Sequence, residues 1–257
     1  MMKHRWAIQI AGNYSWFESM TDRHNAVDVG FLVDTYDAQP NQYAIVSHHL
    51  DDLSTPDEVI DRATALISLL DGALFIQHGE YPGMHPANLV NLDTEHRFQF
   101  ADGSVLAAPF SAKWSAAEIP ASYGDLHLPT ERMLFMARAD DLTREILRFL
   151  GVNGPSWITL YALKDYMKRG GWNEARVANA AGVLEKDVEL FRRTANNPAS
   201  IGPFARHGEQ GHQPPPVPMT LQNARSLILT ATGKFLDERA RTLKVVEDYR
   251  TKSSSRR

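Results

Sequence analysis

Residues 140–151 read Asp140-Asp141-Leu142-Thr143-Arg144-Glu145-Ile146-Leu147-Arg148-Phe149-Leu150-Gly151. Leu142, Ile146, Phe149 and Leu150 share one face at helical spacing, either aspartate can cap the start, and Gly151 is suited to end the helix. From this point the chain keeps a helical period. Pro155-Ser156 opens the next helix, with Ile158, Tyr161, Ala162 and Tyr166 expected inward and Gly170-Gly171 as its stop. Two shorter helices are expected over 173–181 and 184–195, separated by Gly182. The loop Pro214-Pro215-Pro216-Val217-Pro218 cannot be helical and runs extended, after which Thr220 caps a last helix carrying Leu221, Ala224, Ile228, Ala231 and Phe235.

Toward the N-terminus the pattern is different. Trp6-Ala7-Ile8-Gln9-Ile10, Val27-Asp28-Val29-Gly30-Phe31-Leu32-Val33 and Tyr43-Ala44-Ile45-Val46 are short, aromatic or β-branched, and bounded by turn-forming residues, which predicts strands. Thr55-Pro56-Asp57-Glu58 supplies a hydroxyl cap, a proline in the first turn and two acids at the positive end of a helix dipole. Ile60, Ala63, Ile67 and Leu70 continue that helix, and Asp71-Gly72 is expected to close it. Leu74-Phe75-Ile76-Gln77 reads as a further strand, and 98–106 as a hairpin turning at Asp102-Gly103. Met133-Leu134-Phe135-Met136 fits either period. The fold class is therefore α+β: an N-terminal sheet-plus-helix domain over 1–125, an all-α domain over 126–250 and a disordered tail over 251–257.

The 257 residues are 43% hydrophobic, as in an ordinary globular protein, and contain no cysteine. Disulfide frameworks, thiolate zinc sites, iron–sulfur clusters and cysteine nucleophiles are thereby excluded. No apolar run is long enough to cross a bilayer, so the expectation is a cytoplasmic protein without a membrane partner. The net charge of −4 hides an asymmetry: residues 1–150 carry 10 Lys+Arg and 21 Asp+Glu (−11), residues 151–257 carry 17 and 10 (+7), and the two sum to −4. The basic half is expected to meet something anionic, either RNA or the acidic half of the same chain. An acidic N-terminal domain could also dock a protein partner.

Three groups of residues bear on chemistry. Eight of the ten histidines precede Leu150, including His48-His49 beside Asp51-Asp52, but none falls at a ligand-signature spacing. Adjacent histidines on a strand point to opposite faces, so His48 and His49 could ligate one ion together only from a loop; no metal is expected, and no cofactor. The second group is 177–188, Val-Ala-Asn-Ala-Ala-Gly-Val-Leu-Glu-Lys-Asp-Val, which resembles the first half of a helix-turn-helix of the lactose-repressor type. Its second helix departs from that family, because Glu185, Asp187 and Glu189 would face phosphates.

The third group begins at Phe191-Arg192-Arg193-Thr194-Ala195-Asn196-Asn197-Pro198 and continues through Arg206-His207-Gly208 and the proline loop to Met219. This order resembles a C-terminal helical module of uncharacterised bacterial proteins. Arg206 to His212 is also similar to the Arg-x(4–6)-His motif of HEPN ribonucleases. That resemblance implies a helical bundle that forms a homodimer around RNA, with His212 moving a proton and Arg206 stabilising the phosphorane charge, without a metal. Arg192, Arg193 and His207 would then contact nucleic acid. The sequence departs from that family too: the glycines and prolines around His212 indicate a loop, where the family has a helix start. The leading expectation is a two-domain bacterial protein whose helical half contacts RNA or another polyanion, with HEPN-like ribonuclease activity as its most specific form. The alternative is a non-enzymatic interaction or assembly protein, and a DNA-binding helix-turn-helix comes third. Composition and spacing leave open whether the chain is an enzyme.

Overall fold

A computed structural model describes residues 4–11, 17, 28–34, 42–114, 129–206 and 213–243. Strands β1 (Trp6–Ala11), β2 (Gly30–Asp34), β3 (Gln42–Val46), β4 (His85–Asn91) and β5 (Arg97–Gln99) form one antiparallel sheet in the order β2-β3-β1-β4-β5. Ile8 pairs with Ile45 on one side and with Leu89 on the other, which puts three branched side chains in a row on the face turned to the helices. The intervening residues Ala7, Ala44 and Val46 form a smaller cluster on the opposite face, as a two-residue period requires. The predicted second strand is shorter than expected: β2 begins at Gly30, Asp28 and Val29 precede it, and Val27 lies outside the described residues.

Helix α1 (Pro56–His78) starts as expected, with Thr55 and Glu58 forming a reciprocal capping box. It does not end at Gly72. It continues through the stretch read as a strand and stops at Gly79, whose φ of 72° closes the last turn. The reason is a helix crossing. A Cβ on Gly72 would lie 2.1 Å from the carbonyl oxygen of Leu147, and one on Gly151 would lie 1.8 Å from that of Ser68. Both glycines let α1 and α3 (Asp141–Asn153) touch backbone to backbone, and α3 accordingly runs past Gly151 to Asn153.

The predicted hairpin is also displaced. β5 pairs with β4, and the turn between them is built by Asn91, whose side-chain oxygen accepts from the amides of Asp93 and Thr94. Gly103 makes no turn there but presses on α1, where a Cβ would meet Thr64 Oγ1 at 2.4 Å, and the Ser104 amide donates to Asp61 at 2.7 Å.

The remaining helices are α2 (Pro129–Ala139), α4 (Trp157–Arg169), α5 (Glu174–Ala181), α6 (Glu185–Ala195), the single turn α7 (Pro198–Ile201) and α8 (Leu221–Thr242). Helix α2 settles the ambiguous Met133–Met136 stretch as helical. Asp140, Ser156, Asn173 and Thr220 cap their helices through side-chain oxygens. Ile158 is half exposed, contrary to the expected inward face, because Trp157, Leu160, Tyr161 and Leu163 point the helix inward instead. Trp157 and Tyr161 both stack on Phe191 of α6. Helices α5 and α6 pack around Val177 and Val188 and turn at Gly182, φ 71°.

The protein is α+β, with its strands before Phe100 and most of its helices after residue 128. One continuous buried core nevertheless runs from Trp6 on the sheet to Leu236 on α8. Among the described residues, no helix is long and apolar enough to cross a membrane.

Candidate functional site

Tyr161 carries two basic side chains of the helical half on its ring. Its ring is buried by stacking on Phe191, and its accessible side carries the Arg206 guanidinium at 4.2 Å and the Lys164 ammonium at 4.9 Å from the ring centre. Arg192 belongs to the same surface, near enough for its charge to interact with Tyr161 and Glu174. Two of the arginines singled out by sequence, Arg192 and Arg206, are therefore brought together although fourteen positions apart.

Each of these cations has a carboxylate partner: Arg206 with Asp165 at 3.2 Å, Lys164 with Glu174 at 3.2 Å, and Arg192 with both oxygens of Glu189 at 2.7 and 2.8 Å. The Arg192 fork holds the Glu189 carboxyl below its usual range. The Arg206 backbone amide donates to the Ala195 carbonyl, which anchors the chain leaving α7 to the end of α6. Arg193 is exposed and forms no ion pair among the described residues. His207 and His212 lie outside the described residues. No family model, curated protein or solved structure matches the chain.

A second cluster, read from sequence only in part, lies at the end of the sheet. Ala7 pairs with Val46, so continuing the two strands brings residues 4 and 5 beside 48. His4 and His48 stack at 4.1 Å, Trp114 covers His48 at 4.8 Å, and Asp51 sits at the ring edges. Asp51 Oδ2 is 2.7 Å from His48 Nδ1 and 3.4 Å from His4 Nδ1, while its other oxygen accepts from the Arg5 amide at 2.9 Å. Burial alone would raise the Asp51 carboxyl, but His4, His48 and the Arg5 amide together hold it well below its usual range.

These three side chains are the group that could hold a metal ion among the described residues, with donor atoms within 4.8 Å of one another. Metal–ligand contacts are near 2.0–2.2 Å for nitrogen and carboxylate donors. Reaching them would require the two stacked rings to splay apart, because near-parallel rings direct their nitrogens along near-parallel lines. As it stands, the cluster is a carboxylate clamp on two stacked imidazoles. His48 and Asp51 were visible as neighbours in sequence; His4 required the strand register.

His49 points away from this cluster. Its Nδ1 accepts from the Ser111 amide at 3.1 Å, which leaves Nε2 to donate to Asp28 at 2.8 Å. Arg138 of α2 closes on the same Asp28 oxygen at 2.6 Å. Burial alone would raise the Asp28 carboxyl, but Arg138 and His49 outweigh it and keep the carboxyl ionised. With both His49 and Asp28 essentially inaccessible to solvent, this triad cannot reach a substrate and instead ties α2 to the edge of the sheet.

Proposed function

We infer that the helical half contacts RNA or another polyanion through the surface centred on Tyr161. The observation carrying this reading is the placement of Lys164 and Arg206, from separate segments, over one buried aromatic ring, with Arg192 near enough for its charge to interact with it. Tyr161 is too buried to stack on a base, so its role is to fix the cations. Their carboxylate partners do not preclude binding. Partly exposed ion pairs are worth about 0–1 kcal/mol, so exchanging Asp165 or Glu189 for a phosphate costs little, while displaced counterions favour the complex.

The most specific form of the reading gives Arg206 the developing phosphorane charge and His212 the proton transfer. Arg206 would have to leave Asp165 to do so. The test uses the full chain and fluorescence anisotropy of labelled single-stranded RNAs. Arg192→Gln, Arg193→Gln and Arg206→Gln should each weaken binding by a similar factor across sequences, as loss of a phosphate contact does. Unchanged affinity in all three overturns the reading. For the ribonuclease form, His212→Ala should lower cleavage on the order of 100-fold without lowering the melting temperature. Absence of cleavage by the unmodified chain removes that form and leaves binding alone.

A further inference from the structure

Two residues before Arg206 the chain presents an aromatic ring to solvent. Phe204 is 66% exposed, whereas every other described phenylalanine, tyrosine and tryptophan is buried or half-buried. A single exposed apolar side chain needs no explanation by itself. The setting of this one supplies it.

The ring stands on a short 3-10 turn, Gly202–Phe204, that is bonded on both sides. Upstream, the Asn197 side chain accepts from the Ala199 amide at 2.9 Å and the Gly202 amide donates to the Pro198 carbonyl. Downstream, the Ala205 amide donates to the Gly202 carbonyl at 3.2 Å and the Arg206 amide to the Ala195 carbonyl at 3.0 Å. Pro203 fixes its own backbone angle. A ring carried on so constrained a backbone loses little freedom when something settles on it.

The neighbours of Phe204 are cations and a second apolar side chain. Its Cα lies within ~7 Å of that of Arg206, by the reach of two residues, and the Arg206 side chain is itself accessible. The Met219 amide donates to the Thr194 hydroxyl at 3.0 Å, next to the carbonyl that receives Arg206, so the proline loop and its Val217, 76% exposed, come to the same end of α6. Arg193, the residue before Thr194, is exposed there as well. Positive charge beside an open aromatic face fits an anion that has flat apolar faces of its own. Polyphosphate and acidic polysaccharides lack such faces, and a duplex keeps them inside its stack.

Building on the polyanion surface above, we propose that its ligand is single-stranded nucleic acid, with Phe204 stacking on an unpaired base while Arg206 and Arg193 hold the adjoining phosphates. This is the division of labour by which single strands are bound: cations follow the backbone and aromatic rings take the bases. Phe204 thereby supplies the stacking face that the buried Tyr161 cannot.

Fluorescence anisotropy of the full chain tests this with three labelled probes. They are a single-stranded RNA of about ten nucleotides, within the usual span of a single-strand site, a chain of equal length and charge built from abasic residues, and the same RNA annealed to its complement. The abasic chain and the duplex should each bind ~10-fold or more weakly than the single strand, the duplex despite its denser charge. Phe204→Ala should weaken the single strand ~10-fold, the scale of one lost base stack, and leave both the abasic chain and the salt dependence unchanged, because no charge is removed. Phe204→Trp should keep full affinity. Should Phe204→Ala lower the melting temperature, Phe204→Leu against Phe204→Trp carries the comparison, since both keep an apolar bulk and only the second keeps an aromatic face. Equal affinity for the single strand and the abasic chain, a duplex bound as tightly, or no loss in the alanine and leucine variants overturns the stacking role and leaves the polyanion surface standing. Failure of every probe to bind the unmodified chain removes that surface and the stacking role together. A dimer that Phe204→Ala dissociates without altering RNA affinity would assign the ring to contact between copies, and likewise overturns the proposal.

Discussion

Asp71 illustrates how one side chain can impose a pH dependence on the molecule. It sits in α1 near the crossing with α3, almost wholly buried, and its two oxygens accept from the Met84 amide at 3.1 and 3.3 Å. Burial raises its pKa from 3.8 to about 8, against the opposing effect of the Met84 hydrogen bond. The folded state therefore holds a proton that the unfolded chain releases across that range. The associated stability is complete below about pH 4 and is lost as pH rises to about 8, at up to ~1.4 kcal/mol per pH unit. Asp71→Asn keeps the acceptor for Met84 and cannot ionise. Denaturant unfolding across this window should give a flatter stability curve for the variant, which becomes the more stable protein toward its alkaline end. Parallel curves would show that Asp71 is not the group responsible. Nothing in the sequence marked this aspartate, because it was read as the exposed end of a helix that in fact continues.

At the level of elements, helix starts were more legible than helix stops. A start depends on a local bond from a Ser, Thr, Asp or Asn oxygen to an amide two or three residues on, so Thr55, Asp140, Ser156, Asn173 and Thr220 could be read directly. Glycine, by contrast, serves both to end a helix and to let two helices touch, and only the partner helix distinguishes these uses. Gly72 and Gly151 were read as stops and are crossing points; Gly170 and Gly182 were read as stops and are stops. The crossing makes a strong prediction. Gly151→Ala would place a methyl 1.8 Å from the Ser68 carbonyl oxygen, in a helix backbone that cannot yield. The expected cost is about 3 kcal/mol or more, in the range of severe overpacking, and is checked by denaturant titration. A change under about 0.5 kcal/mol would mean that α1 and α3 do not meet as closely as described.

For the whole molecule, the strands before and the helical period after Asp140 gave the α+β class, although two helices, α1 and α2, precede that point, because periodicity reports which face of each element is buried. It did not report what buries that face. The crossing of α1 with α3 joins the expected N-terminal and C-terminal regions into one core, as does the Arg138–Asp28 pair. Unfolding followed by tryptophan fluorescence and by far-UV circular dichroism should therefore give one coincident transition. Two separated transitions would show regions that unfold independently.

The same long-range contacts explain why the candidate site was only partly readable. Arg192 and Arg206 stood out by type, but Tyr161 looked like core packing, and its contacts with Lys164 and Arg206, with Arg192 near enough for its charge to interact, depend on α4, α6 and the residues after α7 meeting in space. The +7 balance of residues 151–257 is also partly answered within the chain, through Arg169 with Glu145 and Arg239 with Asp140. Whether enough positive charge remains for an external partner is measured by the salt dependence of binding. Titration of single-stranded RNA at increasing salt should give a linear fall of log affinity with log salt, with slope roughly −2 to −3 if three or four phosphates are neutralised at about −0.7 each. A slope near zero, or no binding at low salt, would contradict the polyanion surface and assign the basic residues to contacts within the chain.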